Sequence, residues 1–292
     1  MQTESALPTP PRLRVPDSME QVTKLARYQL REYLRSRRFI ALAAIVLAIG
    51  AIATFVVSHF RGQIISTNLA FYGTFWGGGV GVVIILAAVF FGGDAIAGEF
   101  QNKTGYFLMG LPLRRGTVYL GKYIAAFLAS VAMILLFLAI LLVNGAFYFG
   151  SGALPWQLVV SLVLALVYLS AVLGATFLFS SLFKTSAYGF VLTAILFLFG
   201  FTLLQDLIVG LVKIEPWMII SYASSTVGNV FSTSVNWGLQ GTVTTTTAGM
   251  GRFMVMTTTY TAGIAEGIAI MLVYLVLTAV AGLLLFNREE FT

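Results

Sequence analysis

The 292-residue chain has no cysteine, a single histidine, and charge on only 10% of its residues. Without cysteine there is no disulfide framework, no thiolate zinc cluster and no thiol chemistry. His59 has no second imidazole and no nearby carboxylate, so it supplies neither a metal centre nor an acid–base pair, and it reads as a solvated loop histidine. The shortage of charge excludes an ordinary soluble domain, where about a quarter of residues are charged.

What is there is apolar. Hydrophobic residues make up 59% of the chain and mean hydropathy is +0.93. Blocks of about 20 nearly uncharged residues recur, the length that crosses about 30 Å of hydrocarbon. Uninterrupted runs of this kind exclude an outer-membrane barrel, which is written in short alternating strands. The expected fold is an all-α integral membrane protein with six transmembrane helices. They are Phe39–Val57, Gly79–Ala97, Tyr123–Val143, Leu158–Phe179, Tyr188–Leu204 and Gly267–Phe286. The fifth is the least clean, because Gln205 and Asp206 cut it before apolar sequence resumes at Leu207.

The net charge of +6 matters less than its placement. With the N-terminus inside, cytosolic segments hold fourteen lysines and arginines, and outer segments hold only Arg61, Lys213 and Arg252. That asymmetry predicts a multi-pass plasma-membrane protein with both termini in the cytosol. The charge then belongs to the membrane surface, and no nucleic-acid partner is expected.

Residues 1–16 are polar and proline-rich, a disordered tail without the basic start and apolar core of a signal peptide. Residues 17–38 read as an amphipathic interfacial helix, capped by Asp17 or Ser18, with Ser18 and Gln21 as a capping box. At helical spacing Lys24, Arg27, Arg31, Arg35 and Arg38 share one face, opposite Val22, Leu25, Ala26 and Tyr33. A solvated basic face is the plainer alternative. The helix runs straight into a span, which favours a position along the membrane with its basic residues towards anionic headgroups. The six-span domain covers 39–286 and a cytosolic tail covers 287–292. Trp76 is expected at the outer interface, beside a glycine-rich entry to the second span. The long outer loop, 205–266, holds eleven threonines, whose β-branching favours extended chain. Trp217–Ile220 and Phe253–Met256 are apolar enough for short helices that dip towards the outer leaflet as a cap.

Several motifs fail on inspection. Gly116 to Tyr123 (GTVYLGKY) nearly spells a phosphate-binding loop, but Tyr123 replaces the hydroxyl that must reach magnesium and no strand precedes it. Lys122 reads instead as an anchor at the cytosolic end of the third span. Asn102–Thr104 spells a glycosylation sequon on the wrong side of the membrane. Asp94, Asp206 and Glu266 fall at span ends, where they are boundary residues before they are an ion path. Gly77 with Gly81, and Gly174 with Ala171 and Ala175, have the spacing of close helix packing.

The strongest signal is the polar interruption between the second and third spans. Its core, 98–117, joins charges of both signs to an apolar ridge: Phe100, Thr104, Phe107, Leu108 and Leu111 lie near one face of a short helix ended by Pro112. Glu99, Lys103, Arg114 and Arg115 flank that ridge. A ridge of this kind fills a groove on a partner, with register set by charge.

Glu99, Lys103-Thr104-Gly105, Leu111-Pro112, Arg115 and Gly121-Lys122 together resemble the first cytosolic loop of ABC type-2 permeases. The resemblance extends to the layout: an amphipathic helix, six spans, a large outer loop before the sixth, and a charged tail after an aromatic at Phe286. Many members write Gly-Thr where this chain has Thr104-Gly105, which bears on subfamily. The resemblance implies that the 98–117 loop is a coupling helix docked on a separate ATPase subunit. It also implies two ATPase copies, a second permease copy as homodimer or related heterodimer, and export of a substrate. ATP and magnesium would sit on the partner, with no cofactor and no enzyme activity on this chain. A membrane anchor or signalling subunit of an ATPase complex, without a transport cycle, is the alternative. A lipid-acting membrane enzyme is a third reading, and it lacks the clustered acid, base or metal ligands it needs.

Overall fold

A computed structural model describes residues 17–64, 67–101, 115–150, 154–183, 185–232, 234–250 and 253–288. Six helices are long and apolar enough to cross a membrane: Arg37–His59, Asn68–Glu99, Arg115–Phe149, Gln157–Leu182, Ser186–Val212 and Ile264–Phe286. Each contains or overlaps one of the apolar runs read from sequence. The fold is mostly helical, as expected of an all-α membrane protein, with one addition at the end away from the N-terminal helix.

Helix α1 (Ser18–Arg35) starts where Asp17, rather than Ser18, acts as N-cap and accepts a hydrogen bond from the Ser18 amide at 2.7 Å. It ends at Arg35, and after a break at Ser36 helix α2 (Arg37–Ile64) begins. Arg38 therefore belongs to the first turn of span 1 and not to the amphipathic helix, as its helical spacing had implied. The second span is assembled from α3 (Asn68–Phe71), a π-helical stretch (Tyr72–Gly77), α4 (Gly78–Gly92), a turn, and α5 (Ala97–Gln101). Helices α6 (Arg115–Phe149) and α7 (Gln157–Leu182) are spans 3 and 4. The fifth span is continuous through α8 (Ser186–Ile195) and α9 (Phe201–Leu207), with π-helical stretches at Leu196–Gly200 and Ile208–Val212. Gln205 does not cut it, because its side-chain oxygen accepts from the Ser221 hydroxyl at 2.7 Å.

Spans 2, 3 and 4 form the core. Phe71, Tyr72, Trp76, Phe91, Phe137 and Phe177 are all buried there. Small residues bring helices together: a Cβ on Gly174 would stand 2.5 Å from the Thr278 hydroxyl of the sixth span, and one on Gly77 would stand 2.6 Å from the Gly228 Cα. Gly81, paired with Gly77 by spacing, faces open space.

Past the fifth span the chain folds back. Helix α10 (Ile220–Ser224) packs against the sixth span, and α11 (Thr226–Asn229) wedges against the π-stretch of span 2 and against α7. Trp76 is not an interfacial aromatic. It is buried, its indole donates to the Ser161 hydroxyl at 2.8 Å, and Ser161 donates to the Val227 carbonyl at 2.5 Å. The wedge also holds a buried tyrosine, Tyr222, whose phenol is raised in pKa by burial and by donation to Glu215. Two antiparallel strands follow, β1 (Thr242–Met250) and β2 (Phe253–Thr261), in register from Thr242↔Thr261 to Met250↔Phe253. The threonine-rich stretch is extended as its β-branching requires. Phe253–Met256, expected as a short helix, is strand, paired with Met250 to Thr247. Trp217 and Met218 form an exposed turn and only Ile219 and Ile220 turn inward, so the expected Trp217–Ile220 helix is displaced towards Ser224. Helix α12 (Ile264–Arg288) closes the bundle against α7.

Candidate functional site

Where α4 ends, the chain makes one tight turn and then the short helix α5. Gly98 donates to the Asp94 carbonyl at 2.8 Å and Glu99 to the Ile96 carbonyl at 3.0 Å, which compacts residues 94–99. Each part of this segment is tied to a different span. Asp94 pairs with Arg38 at the start of span 1. Lys122, on span 3, donates to the Ala95 carbonyl at 2.8 Å and pairs with Glu99. The hydroxyl of Ser180, on span 4, accepts from the Ile96 and Ala97 amides, both at 3.0 Å. The Gln101 side chain accepts from the Ser186 amide at 3.0 Å and from its hydroxyl, at the first turn of span 5. Eight residues of chain thus reach four spans.

The chemistry explains the arrangement. The first amides of α5 have no partner within their own helix, and Ser180 supplies an acceptor from outside it. Lys122 keeps only 5% of its side chain exposed. An ammonium so far from water has to be paired and hydrogen-bonded, and Glu99 with the Ala95 carbonyl does both. The reading of Lys122 as a surface anchor is corrected accordingly. Asp94 is a boundary residue only in sequence; in space it holds span 1.

Helix α1 lies over this segment. Val22, Ala26 and Tyr33 are buried, and Leu25 fills the notch at Gly121 of α6. The Tyr33 hydroxyl donates to the Phe91 carbonyl at 2.9 Å, and burial together with the nearby Asp94 charge raises its pKa. Lys24, Arg27, Arg31 and Arg35 are exposed on the opposite face, with Lys24 paired to Glu20 at 2.7 Å. The apolar face of α1 is thus spent on the bundle. Between α1 and residues 94–99 lies a cavity of about 930 Å³, bordered by Arg31, Arg35, Arg38, Asp94, Glu99 and Lys122.

Of the residues expected to contact a partner, Glu99 and Arg115 bracket the loop. Arg115 starts α6 and reaches the Phe286 carbonyl at 3.5 Å, at the end of the sixth span. Phe100 lies in α5, its side chain outside the described residues. Lys103, Thr104, Phe107, Leu108, Leu111, Pro112 and Arg114 also lie outside them. Ser180, Gln101 and Ser186 escaped the sequence reading, because a serine at the end of an apolar helix carries no motif. Among the described residues no group of three or more His, Cys, Asp or Glu is placed to hold a metal ion.

No curated protein matches the chain. The family model described as "ABC-2 family transporter protein" matches residues 23–291, from within α1 to the charged tail. Six membrane-spanning helices and a match over nearly the whole length carry one conclusion: the chain belongs to the ABC-2 transporter family and is the membrane permease component of an ABC transporter.

Proposed function

We propose that this permease moves its substrate outward across the cell membrane, driven by ATP hydrolysis on a separate ATPase subunit that docks at residues 98–117. Two ATPase copies and a second permease copy complete the assembly, and ATP and magnesium sit on the ATPase. The observation that carries the docking reading is the set of ties from Asp94–Gln101 to spans 1, 3, 4 and 5. A push on the loop beyond Gln101 would be delivered to four helices at once. A mere connector needs no such ties. The outward direction rests on the family resemblance, and the cytosolic placement of the loop rests on the distribution of lysine and arginine.

Adhesion comes from the apolar ridge of Phe100, Phe107, Leu108 and Leu111, at about 1.5–3 kcal/mol for each large side chain fully buried. Leu108→Asp places an unpaired charge in that contact and should abolish co-purification of the ATPase. Glu99→Gln keeps the shape of the clamp and removes its charge. It should leave an assembled complex in lipid whose hydrolysis no longer rises with transported substrate. Normal assembly with Leu108→Asp and normal stimulation with Glu99→Gln would together reduce the loop to a connector.

A further inference from the structure

A groove of about 570 Å³ opens on the side of the bundle between α2 and α6, within the apolar spans and remote from the clamp. Leu136, Ala139, Ile140, Val143 and Phe147 supply its apolar lining, and Thr54, Asn144 and Tyr148 carry its polar groups, with Asn144 only 7% exposed. Both amide N–H groups of Asn144 are used: one donates to the Thr54 hydroxyl at 2.9 Å and the other to the Ile140 carbonyl at 2.8 Å. The amide orientation is fixed by its neighbours. Thr54 spends its own proton on the Gly50 carbonyl at 2.8 Å, so towards Asn144 it can only accept, as can a carbonyl. The carboxamide oxygen is therefore the atom left over. It accepts no hydrogen bond among the described residues, and it is not sealed in the interior.

An acceptor in that position needs a donor. Among lipid chains a missing partner is costly, because no bulk water replaces it. Asn144 lies four residues, or about 6 Å, inside Tyr148, an aromatic of the kind that marks the membrane–water interface. That is the depth at which an amphiphile passes from polar head to apolar tail. The size of the groove and its few polar groups in an apolar lining are those of a small-molecule site.

We propose that this groove binds a lipid amphiphile of the adjacent leaflet whose hydroxyl, at its polar–apolar junction, donates to the Asn144 oxygen while its tail runs past Val143 and Ala139. The proposal is independent of the coupling reading. The test uses the full-length protein in phosphatidylcholine nanodiscs doped with a diacylglycerol carrying a diazirine in one acyl chain, or with its 3-O-acetyl ester, which lacks the donor. After illumination, labelling of the Leu136–Tyr148 peptide is measured by mass spectrometry. The free hydroxyl should label about fivefold more than the ester, the factor one hydrogen bond supplies. Asn144→Leu should bring the two probes to the same level. Ala139→Phe, which fills the groove and touches neither hydrogen bond of Asn144, should lower labelling by both. Equal labelling by the two probes in the unaltered protein overturns the proposal. So does a preference that survives Asn144→Leu, or labelling unchanged by Ala139→Phe.

Discussion

Lys122 holds a positive charge where water scarcely reaches, and its worth depends on what is removed around it. Glu99→Ala leaves that ammonium buried without its carboxylate, which costs about 3 kcal/mol. The double change of Glu99→Leu with Lys122→Met removes both charges, and stability should return close to that of the parent because well-packed apolar groups replace a buried pair at little cost. Thermal unfolding in nanodiscs measures both; equal losses in the single and double variants would mean the pair is not what Lys122 depends on. Ser180→Ala strips the external cap from α5, a loss of about 1–2 kcal/mol. Its specific mark is faster hydrogen exchange at the Ile96 and Ala97 amides, which a general loosening would spread over the whole segment. Tyr33 adds a pH dependence. Its phenol titrates above the ordinary value of 10.0, so the folded state favours the protonated form. Its contribution is whole below pH 10 and is lost as pH rises through the higher folded value. Protease cleavage within α1 should stay flat through neutral pH and rise only in strong alkali, and Tyr33→Phe should blunt that rise.

At the level of elements, the spans were legible and their joints were not. Each span is a continuous apolar run, a signal that survives any packing arrangement. The clamp is built from Arg38 with Asp94, Ser180 with Ile96, and Gln101 with Ser186, pairs separated by 56 to 85 residues. Nothing local marks such partners, so helical spacing alone carries the basic face of α1 through Arg38. Phe253–Met256 misleads for another reason: four apolar residues in a row fit a short helix or a strand equally, and the pairing with Thr247–Met250 decides. The threonines signal extended chain because β-branching acts on the backbone directly. The wedge of α10 and α11 rests on an approach only glycine allows. A side chain at Gly77 meets the backbone of Gly228, which has no flexible end to give way. In this cysteine-free chain, Ala223→Cys should resist maleimide because Ala223 is fully buried, and adding Gly77→Val should expose it. Resistance in both variants would show that the wedge accommodates the extra bulk.

For the molecule as a whole, the basic end and the hairpin end are expected to face opposite sides of the membrane. Reporters placed after residues 38, 110, 184 and 290 should read cytosol, and those near 65, 150 and 240 should read outside. An outside signal after residue 110 would put the loop out of reach of any ATPase. Burial is uneven across the six spans: within an 18-residue apolar stretch of each, 72% of the second and 61% of the fourth is buried in the chain, but only 6% of the fifth. Its first turns pack on spans 2 and 4 through Gly189 and Phe190, and polar ties hold it near its tips. Ser186 is held by Gln101, Gln205 by Ser221, and the Lys213 carbonyl accepts from Tyr260 of the hairpin at 2.5 Å. A beam supported that way resists at its bearings and yields between them. Exchanges among leucine, isoleucine, valine and phenylalanine along the exposed middle, as at Val191, Ile195 or Phe199, should therefore pass almost unnoticed in a saturation screen for folded protein. Ser186 and Gln205, two modest polar residues, should tolerate far fewer replacements than the exposed hydrophobic ones that separate them.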